Sequence, residues 1–349
     1  MREDYDFGGH GARNILATSF CLSLGVLCPV LQGQANVSGS MSAPVVGLIA
    51  TPDRLEVRAI LGVPGATLLG PAVSMPAGAG RVYLGPAQRI ALVEDTIGKT
   101  LELLSFAGQT LTNIQPIPSS MPTPDMVAFS PTGRSAALFS NLSGTFQIVT
   151  GLDSAPRLAM SAQIPGFMRS IAVNDDGTLP VVADLNGNVY LLAPGMSPQL
   201  VFRVEGGVGA SFLPNRASLA VVDGGNGTLT VLDNLASAPS TRIAATGFTT
   251  SATQIFVQPS ADGQRLFLAP DRGRSAFRAD LETGEVDALD VPGAVSCLER
   301  LRNGEEFLIS AEPGGPAWLL IGDGAELGAV FTPDGHEDLP TSRGASSKL

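Results

Sequence analysis

The chain has 349 residues, 44% of them hydrophobic and 15% charged, with 41 Gly and 26 Pro. That mixture suits many short buried strands joined by tight turns and leaves little room for long amphipathic helices. A formal net charge of -11 without a dense Lys/Arg stripe repels phosphate backbones, which excludes nucleic acid as an expected partner.

The first stretch reads as an export signal. Arg13 precedes an uncharged, largely apolar run from Ile15 to Leu31 that ends in Gln32-Gly33-Gln34-Ala35, small residues suited to signal-peptidase cleavage. Glu3, Asp4 and Asp6 dilute the usual positive charge of such a leader. The expected division is a signal peptide over 1–35, a linker over 36–43, a folded body over 44–333 and a flexible tail over 334–349. It places the mature protein in the periplasm or outside the cell, with no membrane span after leader removal. Cys21 and Cys28 leave with the leader, so Cys297 is the single thiol of the mature chain, expected in a strand as a buried, inert group.

The body repeats. A short apolar strand, a polar turn, a second apolar strand, a Gly-containing turn and a third strand recur, and the first turns align at Ser130-Pro131-Thr132-Gly133, Asp175-Asp176-Gly177, Pro214-Asn215, Ala261-Asp262-Gly263 and Arg302-Asn303-Gly304. From Gly133 to Gly304 the mean period is about 43 residues, the size of a four-stranded propeller blade. Weaker first turns at Pro52-Asp53-Arg54 and Pro86-Ala87-Gln88 bring the count to seven units. The runs after these turns, such as Ser135 to Phe139 and Ala217 to Val222, are apolar on both faces, as a sheet packed between two others must be. The prediction is an all-β chain folded as a single β-propeller of about seven four-stranded blades. A pair of β-sandwiches gives no reason for that period.

Ala128-Phe129-Ser130-Pro131-Thr132-Gly133-Arg134 and Gln258-Pro259-Ser260-Ala261-Asp262-Gly263-Gln264-Arg265-Leu266-Phe267-Leu268-Ala269 resemble the strand-turn-strand signature of bacterial YVTN and lactonase-like propeller repeats. The resemblance implies architecture more than activity. No Trp-Asp dipeptide ends a strand, a departure from the WD40 pattern, and Trp318 is the only Trp, which leaves quinoprotein-type blade docking without its residues.

The blades contain no imidazole, since His10 lies in the leader and His336 in the tail. Within them no Ser-His-Asp triad, Cys-His pair or His-ligated zinc site can be assembled. About eight residues beyond each first turn stand Asp95, Asn141, Asp184, Asp223, Asp271 and Glu312, each followed within about four positions by a Gly, whereas the matching place near Leu61 is apolar. Asp or Asn opening a turn accepts backbone amides two residues on, so turn formation explains much of the pattern. Equivalent turns also share one rim, where these groups would form an acidic ring able to attract a cation or a basic partner surface, with Arg272 and Arg274 interrupting it. The expected function is an exported, non-catalytic scaffold that needs no cofactor and binds a protein, glycan or small molecule on one rim. The alternative implied by the resemblance is a lactonase-like hydrolase that uses carboxylates and a divalent cation such as Ca²⁺ in the tunnel.

Overall fold

The computed structural model describes residues 43–335, apart from 52, 194, 303, 312–315 and 323–325. The expected signal peptide and the tail beyond Gly335, with His336, lie outside the described residues. The chain is a seven-bladed β-propeller built from consecutive antiparallel strands. Blade 1 holds β1 (Val45–Ala50), β2 (Val57–Val63) and β3 (Ala66–Ala72), and blade 2 holds β4 (Ala79–Leu84), β5 (Ile90–Asp95), β6 (Thr100–Ala107) and β7 (Thr110–Ile117). Blade 3 holds β8 (Met126–Phe129), β9 (Ser135–Ser140), β10 (Thr145–Thr150) and β11 (Arg157–Gln163). Blade 4 follows with β12 (Met168–Val173), β13 (Pro180–Asp184), β14 (Asn188–Leu191) and β15 (Gln199–Arg203). Blade 5 is β16 (Val208–Phe212), β17 (Leu219–Asp223), β18 (Thr228–Asp233) and β19 (Ser240–Thr246). Blade 6 is β20 (Ile255–Pro259), β21 (Arg265–Pro270), β22 (Ser275–Asp280) and β23 (Val286–Asp290). Blade 7 is β24 (Glu299–Arg300), β25 (Glu306–Ala311), β26 (Ala317–Ile321) and β27 (Gly328–Thr332).

Because neighbouring strands run in opposite directions, the turns between first and second strands leave on one rim. The turns between second and third strands and the blade-to-blade connections leave on the other, called here the connector rim. Burial follows the same logic. The second strands β9 and β17 are almost wholly buried, because apolar side chains on both of their faces meet an adjacent sheet. Phe139 and Phe146 of blade 3 pack with Ile171 and Val173 of blade 4, and the Phe267 and Phe307 rings meet at 4.3 Å between blades 6 and 7. Each fully buried side chain of this size contributes about 2–3 kcal/mol. The outer strand β11 instead alternates exposed with half-buried positions along its whole length.

Blade 1 is built differently. β1 is buried almost throughout, like a second strand, whereas the tunnel-facing first strand β8 is half-buried at every position. Direction agrees: β3 leads into the connection to β4, so the turn between β1 and β2, two strands earlier, leaves on the connector rim. Pro52-Asp53-Arg54, aligned above as a first turn, is therefore the second-to-third turn of its blade, with residue 52 outside the described residues. The Gln88 side chain takes up the inner edge of β1: its amide accepts from Leu48 N at 2.6 Å and donates to Leu48 O at 2.6 Å, as a paired strand would. Gly47 makes this approach possible, since a Cβ there would lie 2.8 Å from Gln88 Oε1.

The ring closes at the outer edge of the same blade. Leu69 N donates to Pro333 O at 3.0 Å, Gly335 N to Leu69 O at 3.2 Å, and buried Arg58 grips both carboxylate oxygens of Asp334 at 3.0 and 2.7 Å. Asp334 and Gly335, assigned to the tail from sequence, thus belong to the closure.

Candidate functional site: a tunnel closed at one end

The first strands of blades 2 to 7 and Arg54 surround a central cavity of about 310 Å³. Arg300 closes its first-turn end. From β24 the guanidinium spans the mouth, donating through Nη1 to Pro259 O at 3.2 Å and through Nη2 to Pro131 O at 2.6 Å. Burial lowers its pKa and the Asp175 carboxylate opposes that shift; an arginine keeps its charge through such a change. Asp175 ties three blades together on that rim, accepting from Thr132 N at 2.8 Å, Thr132 Oγ1 at 2.5 Å and Asn215 N at 2.8 Å. Its burial would raise the carboxyl pKa, but these hydrogen bonds outweigh burial and hold it below the usual carboxylate range.

The other end opens on the connector rim between Asp125, Arg169, Gln254 and Ser296. Arg54 enters there because blade 1 places no described first strand in its path. Its carbonyl accepts from Val82 N at 2.8 Å on the tunnel-side edge of β4, and its guanidinium reaches Glu299 Oε1 at 2.7 Å while lying 5.2 Å from the Tyr83 ring centre. The Glu299 charge raises the Arg54 pKa against the opposing effect of burial. Glu299 Oε2 is buried and has no hydrogen-bond partner among the described residues. Tyr83 Oη lies within hydrogen-bond distance of Glu94 Oε1 (3.2 Å) and Pro124 O (3.0 Å), and burial, then the Glu94 charge, push its pKa up to about 12. Cys297 lines the same stretch; burial foremost, then the Glu299 charge, raises its thiol pKa and keeps it protonated at neutral pH. This setting makes the thiol a poor nucleophile.

Of the residues singled out from sequence, Asp95, Asn141, Asp184, Asp223 and Asp271 open second-to-third turns on the connector rim, outside the tunnel lining. Asp95 Oδ1 accepts from Ile97 N at 2.9 Å, Asp184 Oδ1 from Asn186 N at 2.8 Å, and Asp223 Oδ1 from Gly225 N at 3.0 Å, each two residues ahead. Asp223 Oδ2 also accepts from Glu205 N at 3.1 Å, and Asn141 Oδ1 from Met168 N at 3.4 Å, so both anchor the adjoining blade connection. Asp271 lies 3.9 Å from the exposed Arg272 guanidinium. Glu312 lies outside the described residues. Asp53 is the member missed from sequence: its Oδ1 accepts from Leu55 N at 3.2 Å in blade 1, and the signal was its place at the end of an apolar run, read one turn out of register. Among the described residues no three His, Cys, Asp or Glu side chains converge as a metal-holding group.

No family model matches the chain, and no curated protein matches it in sequence. Solved structures do resemble it. A protein from Lactobacillus plantarum superposes with a TM-score of 0.57 at 14% identity, over 84% of this chain and 97% of that one. A Bacteroides fragilis protein provisionally assigned as a 6-phosphogluconolactonase gives 0.55 at 14% identity, over 85% and 97%. The RRP9 WD40 repeats give 0.51 at 12% identity, over 75% and 83%. At such identities the likeness establishes the fold, which the chain shares with lactonase-like and WD40 propellers alike.

Proposed function

We propose that this chain is an exported, non-catalytic binding propeller whose ligand approaches the connector rim. The observation that carries this reading is the asymmetry of the tunnel: Arg300 closes one mouth through two carbonyl contacts, while the other opens among polar and charged side chains. A blind cavity of about 310 Å³ is at the small end of ligand pockets, and of the ionic groups lining it Arg54, Glu299 and Arg300 are engaged in fixing its wall. A melting-temperature screen with small carboxylates, sugars and short peptides should find a stabilising compound. Ser296→Trp, at the open mouth, should abolish that shift, and Ala261→Trp, on the opposite rim, should leave it intact. The reverse pattern would overturn the assignment of the rim.

Export rests on the apolar run from Ile15 to Leu31 and the Gly33-Gln34-Ala35 ending. Mass spectrometry of the native protein should show Asn36 as the first residue; a cytoplasmic protein beginning at Met1 would contradict it. The competing hydrolase reading, suggested by resemblance to lactonase-like repeats, would instead require calcium-dependent lactone hydrolysis by the purified chain.

A further inference from the structure

The turns that carry the rim acids also carry large apolar side chains pointing into solvent. Leu55 follows Asp53 by two residues and is 59% exposed, Ile97 follows Asp95 by two and is 74% exposed. Leu142 directly follows Asn141 at 97%, and Leu185 directly follows Asp184 at 48%. Phe167, 61% exposed, stands in the connection between blades 3 and 4, on the same rim. Nothing in the turn geometry asks for Leu or Ile here, because the turn is made by the acceptor and the amide two residues on. Blade 5 has Gly224-Gly225 at the corresponding place and blade 6 has Arg272-Gly273, so the apolar arc covers blades 1 to 4 and stops. Single exposed apolar residues are ordinary, but a set recurring in the second-to-third turns of four successive blades, with Phe167 beside them on the same rim, marks a contact surface.

The charges around the arc identify what it can meet. On the connector rim of blades 1 to 5 stand Asp53, Glu56, Asp95, Asp125, Asp184, Glu205 and Asp223, against Lys99, Arg169 and Arg203, the last bonded to Asn188, with Arg54 turned into the tunnel and paired to Glu299. Asp53, through the Thr51 hydroxyl first, and Asp184, where hydrogen bonds led by Asn188 overcome burial, have carboxyls held below the usual range and so stay ionised. An anionic lipid surface would be repelled. So would a second copy of this chain, whose net charge is -11. We propose that the connector rim of blades 1 to 4 docks a polypeptide segment that presents Leu, Ile or aromatic side chains next to Lys or Arg. This rests on the binding reading above and names its partner.

The test is selection of random linear peptides displayed on phage against the purified chain, followed by affinity measurement with the enriched peptides synthesised. Enriched sequences should place large apolar residues within a few positions of Lys or Arg, and their binding should weaken severalfold as salt is raised. The triple variant Leu142→Ser, Phe167→Ser, Leu185→Ser should lose about tenfold or more in affinity with an unchanged melting temperature, since all three side chains are solvent-facing. Acidic enriched peptides, no enrichment, or binding indifferent to the triple variant would overturn the proposal. Self-association or phosphatidylcholine-vesicle binding that the triple variant abolishes would do so as well, by assigning the arc to another occupant. A tunnel ligand blocked by Ser296→Trp would survive each of those failures, so loss of the partner and loss of the binding reading are told apart.

Discussion

Gln88 shows how one side chain substitutes for a strand. It is 1% exposed, sits at φ 51°, and its amide closes both polar groups of Leu48 on the inner edge of β1. Gln88→Leu keeps the volume but leaves a buried N–H and a buried C=O unpaired, so it should destabilise the protein by about 3 kcal/mol, read from urea denaturation. Glu299 governs a neighbouring thiol in the same way. Its charge is one of the causes raising the Cys297 pKa, and Arg54 acts in the opposite direction. Glu299→Gln removes the first and frees the second, so the thiol pKa should fall and iodoacetamide should react faster at a given alkaline pH. Burial, the larger cause, remains, which keeps the thiol protonated at neutral pH in the variant too.

At the level of elements, turns carry the links between blades. Asp175, in the turn between β12 and β13, bonds the first turns of blades 3 and 5 and leaves Arg300 facing a nearby negative charge. Its folded pKa lies below the ordinary 3.8, so ionised Asp175 stabilises the fold above that value, and the contribution is lost as pH falls through the folded pKa. Asp175→Asn offers one acceptor and turns an amide donor toward another donor. The variant should be less stable by about 1–2 kcal/mol at pH 7. The gap between parent and variant should persist down to about pH 4 and close below it, as thermal melts across that range would show. How much of the site was legible follows the same division. Turn acids such as Asp184 and Asp223 were readable because an acceptor two residues before its amide is a local pattern. Asp53 escaped because its register depends on which strand β1 is, and that is set by packing.

For the whole molecule, closure is the step that makes seven sheets one ring. Arg58, almost fully buried, has its guanidinium held by Asp334 from the far end of the chain, and the Asp334 hydrogen bond is the leading cause of its raised pKa. Asp334→Ala leaves that charge without this partner and should cost about 3 kcal/mol. Hydrogen exchange should then speed first at β2 and β3, the strands that the closure covers, because blades interact with their nearest neighbours. Protection unchanged there would mean that the closure is held mainly by backbone pairing at Leu69.

The sequence by itself determined the architecture, since a period of about 43 residues with strands apolar on both faces can bury its sheets only by stacking them against one another in turn. It also placed Asp95, Asn141, Asp184, Asp223 and Asp271 at turn starts, because short-range hydrogen bonding and the following glycines are written in neighbouring residues. The tertiary structure alone decided which mouth of the tunnel is shut. Arg300 meets Pro131 across 169 residues, and Arg54 meets Glu299 across 245. Those contacts depend on how far the ring turns between one blade and another and on Gln88 occupying the inner edge of β1. No local pattern of residues encodes either.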